Sequence, residues 1–147
     1  MIIFLDFDGV LHPQFEGQMV PREIAFCHVP RFEAIMRDFP AVKIVISSTW
    51  RIHFDLTHLR EWFSEDIAGR IIGATPLLKI APLMEKREAE ILAWLSAHGQ
   101  QSAPWLALDD AYWQFKLHRN RVVVCQSHKG LDEAVAHNLR AALTAGI

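Results

Sequence analysis

The sequence predicts an α/β protein with a doubly wound parallel sheet between helices, a three-layer α/β/α arrangement. Two observations predict it. Short apolar segments alternate along the chain with amphipathic segments of helical periodicity, which is the pattern of repeated β-α-β units. The apolar segments are almost continuously hydrophobic rather than alternating, as expected for parallel strands that are covered on both faces.

Four apolar segments carry the strand pattern clearly, and a fifth is weaker. The four clear segments are Ile2–Leu5, Val42–Ser47, Trp105–Leu108 and Arg121–Cys125. The weaker segment is Arg70–Ala74, which we interpret as an edge strand. All of them are short, as strands of a small parallel sheet usually are.

Helices are predicted between these strands, over Val29–Phe39, Phe54–Phe63, Arg87–Gly99 and Leu131–Leu143. In the first helix Pro30 stands near the start, and apolar residues recur at a spacing of three and four from Phe32 to Phe39. Gly99 is a suitable stop for the third helix. The fourth has acidic residues in its first turn, where the helix dipole favours them.

Composition narrows the class of protein. The 147 residues are enough for one domain with its own core, which we assign to residues 1–147. The formal net charge of −2 gives no broad positive field, so nucleic acid is a less favoured partner. No segment has the length of a membrane span, and no membrane partner is expected. The N-terminus lacks a signal-peptide pattern and the two cysteines form no disulfide framework, so we expect a cytoplasmic protein with two buried thiols.

Polar residues follow three of the predicted strands directly. Asp6 and Asp8 follow the first, the segment Ser47–Arg51 follows the second, and Asp109 and Asp110 follow the third clear strand. In open α/β sheets, ligands bind beyond the carboxyl ends of the strands, near the point where the strand order reverses. If these ends are neighbours, up to four carboxylates share one rim. Their mutual repulsion predicts a divalent cation, and oxygen ligands favour Mg²⁺.

At these strand ends the chain resembles the haloacid dehalogenase (HAD) superfamily. Its four motifs are matched in order by FLDFDGVL, VISSTWR, a basic residue at the head of REAEILAWL, and LALDD. The tail VVVCQSHKGLDEAV is similar to the last strand and helix of that fold. The SSxWR form of the second motif resembles small HAD domains described alongside RNA-repair proteins. The resemblance implies a Rossmann-like HAD core and phosphoryl transfer.

The resemblance implies a role for each residue of the first motif. Asp6 is expected to attack phosphorus and form an aspartyl-phosphate. Asp8 is expected to protonate the leaving oxygen and then to activate water, and residues i and i+2 of an extended segment do face the same way. Gly9 lets the chain turn and approach the substrate closely. An aspartate at the position of Asp8 is typical of the phosphatases and argues against cleavage of a carbon–halogen bond.

The other motifs imply further roles, some with alternatives. Ser47 is expected to donate a hydrogen bond to the phosphoryl group, with Ser48 as the alternative. Arg87 is expected to offset negative charge, with Lys86 and then Lys79 as alternatives. Arg51 either reaches the substrate or pairs with a carboxylate. Mg²⁺ is expected on Asp6, Asp109 and the backbone carbonyl of Asp8, with Asp110 supporting the site directly or through water. His12 is a candidate to line the cleft, and Trp113 to face the substrate.

The connections are too short to hold a cap domain, so an open site is predicted. The expected function is a Mg²⁺-dependent phosphomonoester hydrolase whose phosphorylated substrate is either a small molecule or a macromolecule. Two alternatives stay open. One is a phosphatase that processes nucleic-acid ends, which the open cleft favours and the net charge disfavours. The other is a catalytically silent module that binds phospho-ligands or proteins.

Overall fold

The computed structural model describes residues 1–15, 17–79 and 83–146. Its centre is a parallel sheet of five strands in the order β3-β2-β1-β4-β5. The strands are β1 (Ile2–Leu5), β2 (Lys43–Ile46), β3 (Ile71–Ala74), β4 (Trp105–Asp109) and β5 (Val122–Val124). All five were predicted, and the weak segment is the edge strand β3.

The helices are α1 (Val29–Asp38), α2 (Leu56–Arg60), α3 (Glu65–Ala68), α4 (Lys86–Ala97) and α5 (Glu133–Ala145). Short 3₁₀ turns cover Thr49–Ile52, Leu83–Glu85, Tyr112–Gln114 and Arg119–Arg121. Helix α2 is shorter than predicted, because Asp55 caps its start by accepting from the His58 N–H. The four-residue helix α3 was not predicted, since one turn is too short to show a period.

The sheet is covered on both faces, which explains its continuously apolar strands. On one face Ile3 and Leu5 pack in a core cluster with residues of α1, α2, α3 and α5. On the other face Ile2 and Phe4 pack with residues of α4, and the Phe4 ring meets those of Trp94 and Trp105 edge to face. The three-layer α/β/α prediction is therefore confirmed.

The order of the strands creates one switch point. From β1 the chain moves out to β2 and β3 on one side, and then returns to place β4 and β5 on the other. The carboxyl ends of β1 and β4 therefore adjoin. The backbone N–H of Asp6 donates to the carbonyl of Leu108 at 3.1 Å, so the residue after β1 lies beside the end of β4.

The connections at the site are short, as predicted. Within the described residues, the segments between β1 and α1 and between β3 and α4 hold turns and one 3₁₀ helix but no inserted domain. Among those residues, none of the helices has both the length and the apolar character that crossing a membrane requires. One expectation was wrong: Cys125 is buried, but Cys27 is exposed, because it lies in the turn that precedes α1.

Candidate active site

Three carboxylates meet at the switch point. Asp6, Asp109 and Asp110 each offer an oxygen, and these oxygens lie within 4.8 Å of one another. Asp6 and Asp109 are buried. Burial raises the pKa of Asp109 to about 7, against the attraction of Arg87. Burial also raises the pKa of Asp110 to about 6, against a hydrogen bond from Ser127. The cluster therefore holds protons tightly unless positive charge balances it.

Arg87 supplies one positive charge to this cluster. It lies in the first turn of α4, is buried, and places Nη1 3.5 Å from Asp6 Oδ1 and Nε 3.5 Å from Asp109 Oδ2. Burial opposes its charge, but the carboxylates outweigh burial and raise the pKa of Arg87. Lys86 is only half-buried and borders a different cavity, and Lys79 is exposed. Of the three predicted alternatives, the structure brings Arg87 to the carboxylates.

The three carboxylates suit a hard divalent cation. One arginine does not neutralise three ionised carboxylates, and Asp109 Oδ2 is buried with no hydrogen-bond partner among the described residues. Burying a carboxylate oxygen without a hydrogen bond is costly, even with the Arg87 Nε 3.5 Å away. A donor set made of carboxylate oxygens fits Mg²⁺. The residues present at the switch point therefore fit the predicted ion.

Asp8 lies beside this cluster rather than in it. The His12 ring nitrogen Nδ1 accepts from the Phe26 N–H, so in the neutral ring the proton is on Nε2, which donates to Asp8 Oδ1 at 2.7 Å. The Trp50 indole N–H donates to Asp8 Oδ2 at 3.1 Å. Burial opposes the ionisation of Asp8, but these two hydrogen bonds and the attraction of His12 and Arg87 together outweigh it, and the pKa of Asp8 is lowered. Its backbone carbonyl, the atom predicted to bind Mg²⁺, takes no part in these bonds.

Two features require a glycine at position 9: the backbone conformation there and the close approach of Asp110. Its φ of +72° lies in the left-handed region, and a Cβ there would stand 2.2 Å from Asp110 Oδ2. The turn predicted at Gly9 is present, and it allows Asp110 to pack against the first motif. The close approach of Gly9 to a substrate stays a prediction.

The hydroxyl groups after β2 have three different environments. Ser47 is fully buried, and its Oγ has no hydrogen-bond partner among the described residues. Ser48 Oγ accepts from the Trp50 N–H at 3.3 Å and caps the 3₁₀ turn. Thr49, for which no separate role was predicted, borders the cavity that contains Asp6 and Arg87. Of the two predicted alternatives, Ser47 has the uncommitted hydroxyl.

The Arg51 guanidinium is fully committed to contacts within the protein. It pairs with Glu90 at 2.6 Å, and its other N–H groups donate to the carbonyls of Thr75, Pro76, Ser47 and Ser48. Both partners of the ion pair are almost fully buried. Since all five guanidinium N–H groups are engaged, the expectation that Arg51 binds substrate is corrected. Its alternative, pairing with a carboxylate, is what the structure shows, and Arg51 holds the loop after β2 in place.

A cavity of about 370 Å³ borders several of these groups, but neither Ser47 nor Asp109 is among the described residues that line it. Besides Asp6, Asp8 and Arg87 it is lined by Gln14, Thr49, Asp110, Ala111, Trp113, Gln114 and Ser127. Trp113 was predicted to face it. Ser127, which donates to Asp110 Oδ2 at 2.6 Å, was missed, although it follows β5 just as the other site residues follow their strands. Trp50 was treated as a core residue, although its place in the loop after β2 was a usable signal.

The comparisons with known proteins agree with this geometry. The family described as the HAD domain in Swiss Army Knife RNA repair proteins matches residues 2–136. Neither the curated proteins nor the solved structures contain a match to this chain. The predicted membership of the HAD superfamily is thus confirmed, the sheet is a Rossmann-like HAD core, and the family indicates a phosphatase-type hydrolase. The chain belongs to the family of HAD domains found in Swiss Army Knife RNA repair proteins.

Proposed function

We propose that this protein is a Mg²⁺-dependent phosphomonoester hydrolase that acts through an aspartyl-phosphate. One observation carries the proposal: Asp6, Asp109 and Asp110 meet around Arg87 at the switch point, and Asp8 borders the same cavity. A nucleophile, a proton donor and groups that balance charge are thereby within reach of one phosphate.

Asp6 is oriented for attack. Its Oδ1 accepts the Phe7 N–H at 2.8 Å and faces Arg87, which leaves Oδ2 available as the nucleophile. In the first step a bond forms between this oxygen and phosphorus while the bond from phosphorus to the leaving oxygen breaks. The leaving oxygen takes a proton from the protonated form of Asp8; the pKa of this carboxyl is lowered in the structure, and the negative charge of a bound phosphate would raise it again. In the second step Asp8 takes a proton from water, whose oxygen attacks phosphorus and releases phosphate and free Asp6.

The remaining residues balance charge in the transition state. Arg87 offsets the charge of the phosphoryl oxygens, and Ser47 Oγ donates to one of them; its lack of a partner in the described structure supports this role. Asp6, Asp109, Asp110 and the Asp8 carbonyl would hold Mg²⁺, which as a Lewis acid draws charge from the phosphoryl group. Asp109 and Asp110 contribute by keeping that ion beside Asp6.

A substrate panel tests the proposal. Purified protein is assayed for phosphate release from small metabolites, nucleotides and phosphorylated oligonucleotides, with Mg²⁺ and with a chelator. Hydrolysis of at least one phosphomonoester that needs Mg²⁺ and is lost in Asp6→Asn is expected. If neither protein hydrolyses any of them and calorimetry detects no Mg²⁺ binding, the silent binding module is favoured instead.

A second candidate is a phosphatase for the phosphorylated ends of RNA. The description of the family, which names RNA repair proteins, favours it, and the absence of an inserted cap from the described residues leaves room for a polymer. Removal of a 3′- or 5′-phosphate from an oligonucleotide at least as fast as from the matching mononucleotide would support this candidate. A clear preference for mononucleotides would exclude it.

A further inference from the structure

We propose that the substrate's leaving group carries a flat, uncharged ring and that this ring binds in a chamber beside Asp8. The chamber is a cavity of about 230 Å³ lined by Asp8, by Trp50 and by side chains from residues 13–15 and 18–20. The inference rests on the proposed phosphatase function, because it concerns the part of the substrate that leaves the phosphate.

The chamber adjoins the phosphate cavity at the proton donor. Asp8 and Gln14 line both cavities. Asp8 must lie within hydrogen-bond distance of the leaving oxygen to protonate it. The first atoms of the leaving group therefore lie next to Asp8. A phosphate bound at Asp6 and Arg87 therefore directs its ester bond toward the chamber. The two cavities together provide one place for each half of the substrate.

Trp50 forms a fixed aromatic wall of the chamber. Its indole N–H is bonded to Asp8, and its ring stacks on Phe54 with centroids 5.5 Å apart and meets Phe26 edge to face at 5.1 Å. The ring is therefore held in place before any ligand arrives. A leaving group that contacts Trp50 is at the same time next to the carboxylate that protonates it.

The other walls are apolar or neutral. Phe15, Met19 and Val20 contribute apolar surface, and Met19 is 93% exposed, so a bound ring would cover a side chain that the other described residues leave open. Gln14 and Gln18 contribute neutral side-chain amides, and the backbone N–H of Gln14 donates to the Ser127 carbonyl at 2.7 Å.

Among the described lining residues, Asp8 has the one charged side chain. An anionic leaving group would meet this carboxylate and no cation. A leaving group that is a sugar alone would leave hydroxyl groups unpaired against apolar walls, whereas a flat ring, bonded directly or through a ribose, buries apolar surface and uses the amides at its edge. This chemistry is shared by aryl groups and by nucleobases.

Matched substrates test the inference. Benzyl phosphate, a nucleoside 5′-monophosphate, glucose 6-phosphate and glycerol 3-phosphate all release a primary alcohol, so differences in kcat/KM report binding of the leaving group. We expect about a tenfold higher kcat/KM for a ring-bearing substrate than for the other two, as burial of half a ring would give. The better of the two ring-bearing substrates identifies the source of the ring. Equal values for all four would overturn the inference.

A variant locates the effect in the chamber. Phe15→Ala is expected to reduce kcat/KM severalfold for the ring-bearing substrates, mainly through KM, and to reduce it clearly less for glucose 6-phosphate. Ile72→Ala, an exposed residue on the edge strand β3, is the control and should change neither. An equal loss for both kinds of substrate in Phe15→Ala would contradict the proposal.

A binding measurement separates this inference from the proposed function. Benzylphosphonate and propylphosphonate cannot be hydrolysed, and their dissociation constants are measured by calorimetry with the wild-type protein and Mg²⁺. Tighter binding of benzylphosphonate supports the chamber even if no phosphate ester is hydrolysed, a result that would overturn only the catalytic proposal. Equal binding of the two phosphonates would overturn the chamber even if hydrolysis is found.

Discussion

Arg87 Nη1 lies 3.5 Å from Asp6 Oδ1, and the Nε of the same guanidinium lies 3.5 Å from Asp109 Oδ2. One buried cation thus bridges carboxylates that come from the ends of two neighbouring strands. Because Asp110 adds a third carboxylate, the cluster keeps an excess of negative charge that a divalent cation would balance.

Replacement of Arg87 by methionine should destabilise the protein strongly when Mg²⁺ is absent. The expected loss is roughly 3–5 kcal/mol of the free energy of unfolding, because buried carboxylates lose their partner. Chemical denaturation at neutral pH measures it, with the half-buried neighbour Lys86→Met as the control. Adding Asp109→Asn to Arg87→Met should restore part of the loss. Equal stabilities of the two single variants would contradict this account of Arg87.

The protein without Mg²⁺ should become less stable as the pH rises from about 5 to 8. Burial raises the pKa of Asp109 to about 7 and that of Asp110 to about 6. The folded chain therefore binds these protons more tightly than the unfolded chain, whose carboxyls titrate near pH 4. The resulting stabilisation is complete below that pH and is lost as the pH rises through 6 and 7.

Mg²⁺ should reverse this trend, because it binds the deprotonated carboxylates. Thermal denaturation in the presence and absence of Mg²⁺ measures the effect, and the increase in Tm caused by Mg²⁺ should be larger at about pH 8 than at about pH 5.5. Asp109→Asn should weaken both the pH dependence of the stability without Mg²⁺ and the pH dependence of the increase in Tm caused by Mg²⁺. A stabilisation by Mg²⁺ that is the same at both pH values would count against the cluster as its binding site.

Ser47→Ala should lower activity without lowering stability. The variant removes a buried hydroxyl that has no partner among the described residues, so the free energy of unfolding should stay the same or rise by about 1 kcal/mol. Loss of a hydrogen bond to the phosphoryl group should reduce kcat by about a hundredfold. Thr75→Val is a matched control, because it also removes a buried, unpaired hydroxyl but follows β3, one strand further from Asp6 than Ser47, whose N–H donates to the Leu5 carbonyl of β1. Full activity of Ser47→Ala would assign this role to another group, of which Thr49 is the nearest candidate.

Trp50→Phe should slow the hydrolysis of substrates with a poor leaving group more than that of substrates with a good leaving group. The variant keeps an aromatic ring but removes the N–H that holds Asp8 Oδ2. An alkyl phosphate needs a proton from Asp8, whereas p-nitrophenyl phosphate leaves readily without one, so kcat should fall about tenfold further for the alkyl ester. Steady-state kinetics with both substrates measures the difference, and Trp62→Phe is the control. An equal fall for both substrates would show that Trp50 does not act through Asp8.

The sequence allowed site residues to be predicted wherever they directly follow a strand. Asp6, Asp109 and Asp110 could be predicted to meet, because parallel strands bring their carboxyl ends to one edge of the sheet. The same reasoning applied to β5 would have found Ser127. The order of strands and helices, including the weak edge strand, also follows from apolar patterning.

Contacts between distant side chains could not be predicted in this way. The bond from Trp50 to Asp8 joins residues 42 apart in sequence, and the pair of Arg51 and Glu90 joins residues 39 apart. Both depend on rotamers and on how a loop packs against a helix, which no spacing in the sequence reveals. Arg51 was therefore assigned a substrate role, although it holds the loop that carries Ser47.

The most direct test of the central claim is a search for phosphate bound covalently to Asp6. A single turnover of a hydrolysed phosphomonoester is stopped with acid, and the peptides are analysed by mass spectrometry. The account predicts a phosphorylated peptide that contains Asp6 in the wild-type protein with Mg²⁺, and none in Asp6→Asn or with a chelator. Turnover by Asp6→Asn at the wild-type rate, or wild-type turnover with phosphate on a different residue, would contradict it.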